Sequence, residues 1–300
     1  MSNTAFAIQA VSINASTFAG VKGQQIDGGQ TVLSGGYDGT VQETLQTIIS
    51  RRRSFEWDTV QCKTMLTALG TSGSSPFPCI ALDGSNGLVM YGGRSAVSLP
   101  GYSASAIHIS RTALNGVVVM ERMSWAQDQE AVMHCKAFVL SADGTTDPVT
   151  AATTVAFATL PNPQNTQVYV LSALTANGVS LGTVRSMDLS IGHKFDYDMT
   201  TGLPYPLMVS GAGPKGPAEI RLTADITDCS QAEGTGSVSC VFTALAAGGT
   251  LGSSTITFTF QSPWTLEDAI SGSKGGPMTR KFTARPTFGG STYALTWVST

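Results

Sequence analysis

Thr255-Ile-Thr-Phe-Thr-Phe260 puts Ile256, Phe258 and Phe260 on one side of an extended chain and three threonines on the other. Successive side chains of a strand alternate faces, so this stretch reads as a β-strand with one face on a core and the other on solvent or a polar neighbour. Similar short runs, broken by Gly, Ser, Asn and Asp, predict strands over 116–123, 132–140, 167–174, 184–191, 219–226, 237–243, 279–285 and 292–298. The 41–50 run suits either a helix or an amphipathic strand, and the strand is the reading taken. Helical signals are few. Thr265-Leu-Glu-Asp-Ala-Ile270 follows Pro263-Trp264 and predicts a short helix, with Thr265 as cap and Glu267 and Asp268 at its positive end. Trp125–Val132 is a weaker version of the same signal.

Two segments look like worn copies of each other. Ser54-Phe-Glu-Trp-Asp-Thr-Val-Gln-Cys62 aligns with Arg221-Leu-Thr-Ala-Asp-Ile-Thr-Asp-Cys229, so that Phe55 faces Leu222, Asp58 faces Asp225 and Cys62 faces Cys229. Further on, the Trp125 and Trp264 segments match, each followed by a basic-x-Phe signal, Lys136-Ala-Phe138 and Arg280-Lys-Phe282. The order is the same in both halves, which predicts one β-rich unit present twice. The turn-rich stretch 142–163, with Asp143-Gly144, Asp147-Pro148 and Pro161-Asn-Pro163, marks the boundary. The expected domains are therefore 1–150 and 160–300. Long loops are expected over 35–53, 71–105 and 200–217, the second with the look of a surface hairpin.

The chain has 300 residues, 42% of them hydrophobic, enough for two folded domains with real cores. Only 12% are charged, against roughly 25% for an average soluble domain. A surface so short of charge either meets another protein or belongs to a secreted, Ser/Thr-coated β-domain; charge depletion marks the core of an interface, so contact with other subunits is the expectation. A net charge of −3 with 17 Lys+Arg argues against tight nucleic-acid binding. Arg51-Arg52-Arg53 is the single basic cluster, suited to phosphate, to an acidic patch on a neighbour, or simply to solvent. The 5–13 stretch is apolar but lacks a basic leader and is too short to span a bilayer, so no secretory signal and no membrane partner are expected.

Catalytic and metal patterns fail one by one. Five cysteines without a CxxC pair predict reduced, buried thiols in a protein assembled in cytoplasm. His108, His134 and His193 lie far apart in sequence with no metal-ligand spacing. His134-Cys135 cannot act as base and nucleophile, because neighbours on a strand point to opposite faces; Cys135 is expected in the core and His134 outside. Gly211-Ala-Gly-Pro-Lys-Gly216 lacks the ending of a phosphate loop, and Ser271-Gly-Ser-Lys274 reads as a glycine-rich stop. Asp196, Asp198 and Glu219 have the carboxylate character of a glycosidase site but no aromatic cleft around them; Asp196-Tyr-Asp198 equally suits an exposed edge strand. No enzyme activity, cofactor or metal is expected.

The order of marks resembles the tail tube protein of long-tailed bacteriophages. The segments that carry the resemblance are Ser54–Leu69, its partner Glu219–Cys229, and Trp264–Ile270 leading to Arg280–Trp297. The resemblance implies packed antiparallel sheets closing toward a barrel with a flanking helix in each unit, and rings stacked into a hollow tube for genome delivery. Most members have one unit and form hexameric rings; two units imply trimeric rings of pseudo-sixfold symmetry, and if the duplication is false the ring number is open. The implied partners are copies of the chain, a tape measure protein and a tail terminator, with DNA passing through the bore without specific binding. The long loops, with Arg51, Arg52 and Arg53, would lie at ring–ring contacts of a virion tail assembled in the host cytoplasm. Competing readings are a head decoration, tail terminator or minor tail protein, and an extracellular two-domain binding module.

Overall fold

The structure is a computed structural model and describes residues 5–18, 21–27, 30–35, 45–72, 76–95, 107–155, 167–211, 220–226, 237–246, 249–261, 264–271, 279–286 and 293–300. The protein is mainly β, with several antiparallel sheets and one short helix among the described residues. No described helix is long and apolar enough to cross a membrane.

The central sheet has nine strands. From one edge the path runs Val21–Asp27, Ser54–Thr59, Val132–Leu140, Asn115–Ala126, then Val184–Ser190, Arg221–Ile226, Thr279–Pro286 and Trp264–Ser271. The ninth strand, Cys79–Ala81, pairs with Val117–Val119 off this path. The long strand Asn115–Ala126 then changes partner, and Arg122–Ala126 pairs with Ser186–Ser190. That pairing makes the sheet continuous across the middle of the chain.

Two five-stranded sheets accompany it. One is ordered Ser16–Phe18, Ala5–Ile13, Leu88–Ser95, Ile107–Ala113, Val149–Val155. The other is ordered Val179–Ser180, Tyr169–Ala176, Val238–Leu245, Leu251–Phe260, Leu295–Ser299. Two hairpins stand apart, Gln30–Gly35 with Leu45–Arg51 and Asp196–Asp198 with Met208–Ser210. Strand order follows one rule on both sides of the central joint. Leaving aside Cys79–Ala81, which has no counterpart in the second half among the described residues, the central strands of each half, counted along the chain, lie in the order first, second, fourth, third. In each small sheet the order is second, first, third, fourth, fifth, and each hairpin falls between the first and second central strands.

Alternation explains the core. Phe55 and Trp57 are buried while Glu56 and Asp58 are not; Met133, Cys135 and Ala137 are buried while His134 and Lys136 are not. Ile256, Phe258 and Phe260 are fully buried, as their spacing predicts, and Phe258 meets Phe242 edge to face at 6.3 Å. The buried residues of all three sheets form one contiguous cluster. Gly116 opens the long strand because a Cβ there would lie 2.1 Å from the Phe138 carbonyl oxygen.

The helix is not where the sequence reading puts it. Trp264–Ser271 is a strand, paired residue for residue with Thr279–Pro286. Six residues cannot repay helix nucleation alone, whereas a ready strand edge supplies a full ladder of hydrogen bonds. The Trp125 segment likewise ends one strand and turns through Asp128, at φ 63, into the next. The observed helix is Cys62–Ala68, whose Cys62, Met65 and Leu66 are buried. That i, i+3, i+4 spacing was available in the sequence. The supposed surface hairpin of 71–105 contributes Leu88–Ser95, an interior strand of the first small sheet with Leu88 and Met90 buried. The nine strands expected from alternation coincide with observed strands, their ends shifted by a few residues. Leu45–Arg51 is also a strand, as expected for the 41–50 run.

Candidate functional site

The face of the central sheet turned away from the buried residues is polar. Its rungs are made of compensated charges and hydroxyls. Lys136 Nζ lies 2.5 Å from Glu56 Oε1, and His134 Nδ1 lies 2.7 Å from Asp58 Oδ1. Across the joint, Arg122 Nε is 3.6 Å from Asp188 Oδ2, and Ser186 Oγ donates to Asp225 Oδ2 at 2.9 Å. Asp225 is in register with Lys281, and Thr223 and Thr283 bring their hydroxyls within 3.4 Å. Burial pushes the Asp188 carboxyl up, against the pull of Arg122 and Arg221. Glu56, Asp58, Asp188 and Asp225 each have a cation or hydroxyl close by, so no strong field of one sign develops along these rungs.

A denser cluster sits where the long strand changes partner. The ladder with Val132–Leu140 slips between Met120 and Arg122, leaving Glu121 on a bulge. Bulges re-aim side chains. Here the carboxylate reaches His134 Nε2 at 3.1 Å and His193 Nε2 at 3.2 Å. The His193 contact is close but poorly aligned for a hydrogen bond, and both of its ring nitrogens lack a well-formed hydrogen bond. Its side chain is 5% exposed and packs against Phe138 and Phe195, with ring centroids at 5.8 and 5.4 Å. Glu121, Arg122, His134, Ser190, Gly192 and His193 line an open cavity of about 400 Å³.

Glu121 and Asp58 raise the His134 pKa to about 9, overcoming the opposing effect of burial. Burial pushes the Glu121 carboxyl up, but His134 and His193 pull it well below the usual carboxylate range. At neutral pH His134 is an imidazolium held between two carboxylates, a group that keeps its proton. A general base works best with a pKa near the operating pH. Charge on His134 stabilises the fold fully below pH 6.5, its ordinary value, and this contribution is lost as pH rises through about 9. Solvent screening of this half-exposed group leaves about 1–2 kcal/mol. His134→Gln is therefore expected to lose about that much stability at pH 6 and much less at pH 10, as read from urea unfolding at the two pH values.

The structure brings together two of the three histidines that sequence spacing kept apart. His134, Glu121 and His193 come from two strands and a following loop, and no local pattern announces that meeting. Among the described residues no group of three or more His, Cys, Asp or Glu could hold a metal ion.

Arg51 and Arg53 converge on one carboxylate. Arg53 Nη2 lies 2.6 Å and Arg51 Nη1 3.5 Å from Asp147 Oδ2. The second half closes over them. Arg51 N donates to Pro204 O at 2.7 Å, Ser141 N to Pro206 O at 2.9 Å and Tyr205 N to Gly144 O at 3.1 Å. The Tyr197 hydroxyl donates to Arg53 O and accepts from Val139 N. The 200–206 loop thus docks within its own chain. Arg52 is the most exposed of the three, its side chain 48% accessible and 3.6 Å from Asp196 Oδ1.

Asp196 and Asp198 are exposed on their short strand with Tyr197 turned inward, which suits the edge-strand reading. Glu219, Cys229 and most of the 211–216 and 271–274 motifs lie outside the described residues. Cys62, Cys135 and Cys240 are free and buried, and Cys79 is half-buried. Burial pushes the Cys62 and Cys240 thiols up to about 12, where they are poor nucleophiles. A scan against protein-family models and a search of curated proteins found no match to this chain.

Proposed function

We propose that this protein is a structural virion subunit, the tail tube protein of a long-tailed bacteriophage, built from two tandem copies of one β unit. The observation that carries this reading is the repeated strand order on either side of the Arg122–Ala126/Ser186–Ser190 joint. Four central strands, one small sheet and one hairpin recur with the same connectivity in each half. Convergence on that arrangement by two unrelated segments is a poor explanation.

The joint supplies the assembly rule. The third central strand of the first unit pairs with the first central strand of the second. The corresponding strands at the sheet's ends, Trp264–Ser271 and Val21–Asp27, each have one edge with no strand ladder on it among the described residues, and Gln24 Nε2 of the latter donates to Ala10 O at 3.1 Å. Repeating the internal joint between chains pairs Trp264–Ser271 of one copy with Val21–Asp27 of the next. Such a head-to-tail contact generates a ring when the rotation closes, and a closed ring leaves no sheet edge exposed. Two units per chain favour a trimer of pseudo-sixfold symmetry. The polar face of the sheet then lines the bore, and its locally compensated charges let DNA pass without gripping it. Arg52 is the best remaining candidate of its triplet for ring–ring contact, since Arg51 and Arg53 already share Asp147. On this reading the protein is not an enzyme, needs no cofactor, and works in the virion tail beside the tape measure and tail terminator.

Electron microscopy of the purified protein tests the proposal. Hollow polymers or stacked rings with a central channel are the expected result. Rings that never stack would move the protein to another virion role such as tail terminator, and a monomer that persists at high concentration would remove the reading altogether.

A further inference from the structure

The last strand of the second small sheet, Leu295–Ser299, pairs with Leu251–Phe260 along one side. Its other side is capped by the first half of the chain. Trp297 N donates to Ser72 Oγ at 3.0 Å, and Trp297 Nε1 donates to Gly70 O at 3.3 Å. Beside them Lys63 Nζ donates to Ser254 Oγ at 2.8 Å and to Thr300 O at 2.5 Å. These groups belong to the helix Cys62–Ala68 and the residues just after it, which follow the second central strand. The first unit thus covers a sheet edge of the second.

Val149–Val155 holds the same place in the first small sheet, last in chain order and at the sheet border. It pairs with Ile107–Ala113 on one side, and the other side has no partner among the described residues. Its sequence, Val-Thr-Ala-Ala-Thr-Thr-Val, contains no charge and no proline. Thr150, Ala151 and Ala152 are exposed. Open edges of solitary proteins are commonly guarded by lysine, proline or a bulge. A register irregularity between Ala152 and Val155 interrupts only the far end. Val149 N already donates to Asp147 Oδ1 at 3.0 Å, and beyond it the outward backbone groups of Thr150–Ala152 have no strand paired to them among the described residues.

We propose that the free edge of Val149–Val155 is a docking surface for the second half of a neighbouring copy of this chain. The argument rests on the ring proposed above and extends it. Within the chain, cover passes from first unit to second in the same direction as the central joint. Between chains the same direction carries it from the second unit of one copy to the first unit of the next. The contact would then be a side seam of each ring, separate from the pairing of central strands.

Hydrogen exchange of the outward-facing amides within Thr150–Ala152, measured on assembled and on dissociated protein, tests the seam. Exchange at least ten-fold slower in the assembly is expected. In parallel, Ala151→Lys should leave circular dichroism and thermal unfolding unchanged while raising the concentration needed for assembly about ten-fold. Rings or tubes that form while these amides exchange as fast as in dissociated protein would overturn the seam and leave the ring standing. Normal assembly of Ala151→Lys would count against it in the same way. A protein that never assembles would remove both, and sedimentation distinguishes that case.

Discussion

Gln24→Pro and Gln25→Pro, made separately, are expected to divide into one variant that folds but cannot assemble and one that folds poorly. Both residues lie on Val21–Asp27, the border strand of the central sheet, opposite Trp57 and Glu56 of Ser54–Thr59. Consecutive backbone N–H groups of a strand point to opposite edges. At one of the two positions proline removes a hydrogen bond within the chain and costs stability. At the other it removes a donor that only a neighbouring copy uses, and its ring obstructs the approach of that copy. The second variant should keep its β circular dichroism, sediment as a monomer and form no tubes, with only a small fall in melting temperature if it is Gln24→Pro, which also loses the Gln24 Nε2–Ala10 O hydrogen bond. Assembly by both variants would show that this border strand is not the joining edge.

Phe258→Ala is expected to cost about 3–5 kcal/mol of folding stability, the range for removing a fully buried phenylalanine from a close-packed core. Phe258 has no exposed surface, and its ring meets Phe242 across the same sheet face. Phe258→Leu should recover more than half of that loss, since it restores most of the volume. Equilibrium urea unfolding of both variants reads the difference. A loss under about 1 kcal/mol for the alanine variant would mean that the second small sheet is not packed as described. Because the residue lies on neither of the proposed joining strands, any tubes still formed should keep their symmetry and lose only thermal resistance.

Much of the fold was legible because alternation is local. A run such as Thr255–Phe260 declares its buried face without reference to any distant residue. Cys135 buried and His134 outside followed from the same rule. The error at Trp264–Ser271 came from reading helix capping residues where a waiting strand, Thr279–Pro286, outcompeted a six-residue helix. Of the paired sequence marks, Ser54–Thr59 and Arg221–Ile226 are each the second strand along the main path of the central sheet in their half, whereas Trp125 lies near the end of its strand and Trp264 begins one.

The sequence alone determined that this chain is built of β-strands, that Cys62, Cys135 and Cys240 are buried, and where most strands lie, because each of these depends on residues a few positions apart. Tertiary structure alone decided that Glu121 would meet His134 and His193, that Arg51 and Arg53 would share Asp147, and that Arg122–Ala126 would pair with Ser186–Ser190. Those contacts join segments tens of residues apart, and strand partner and register are settled by how whole faces pack, which no short window of sequence contains.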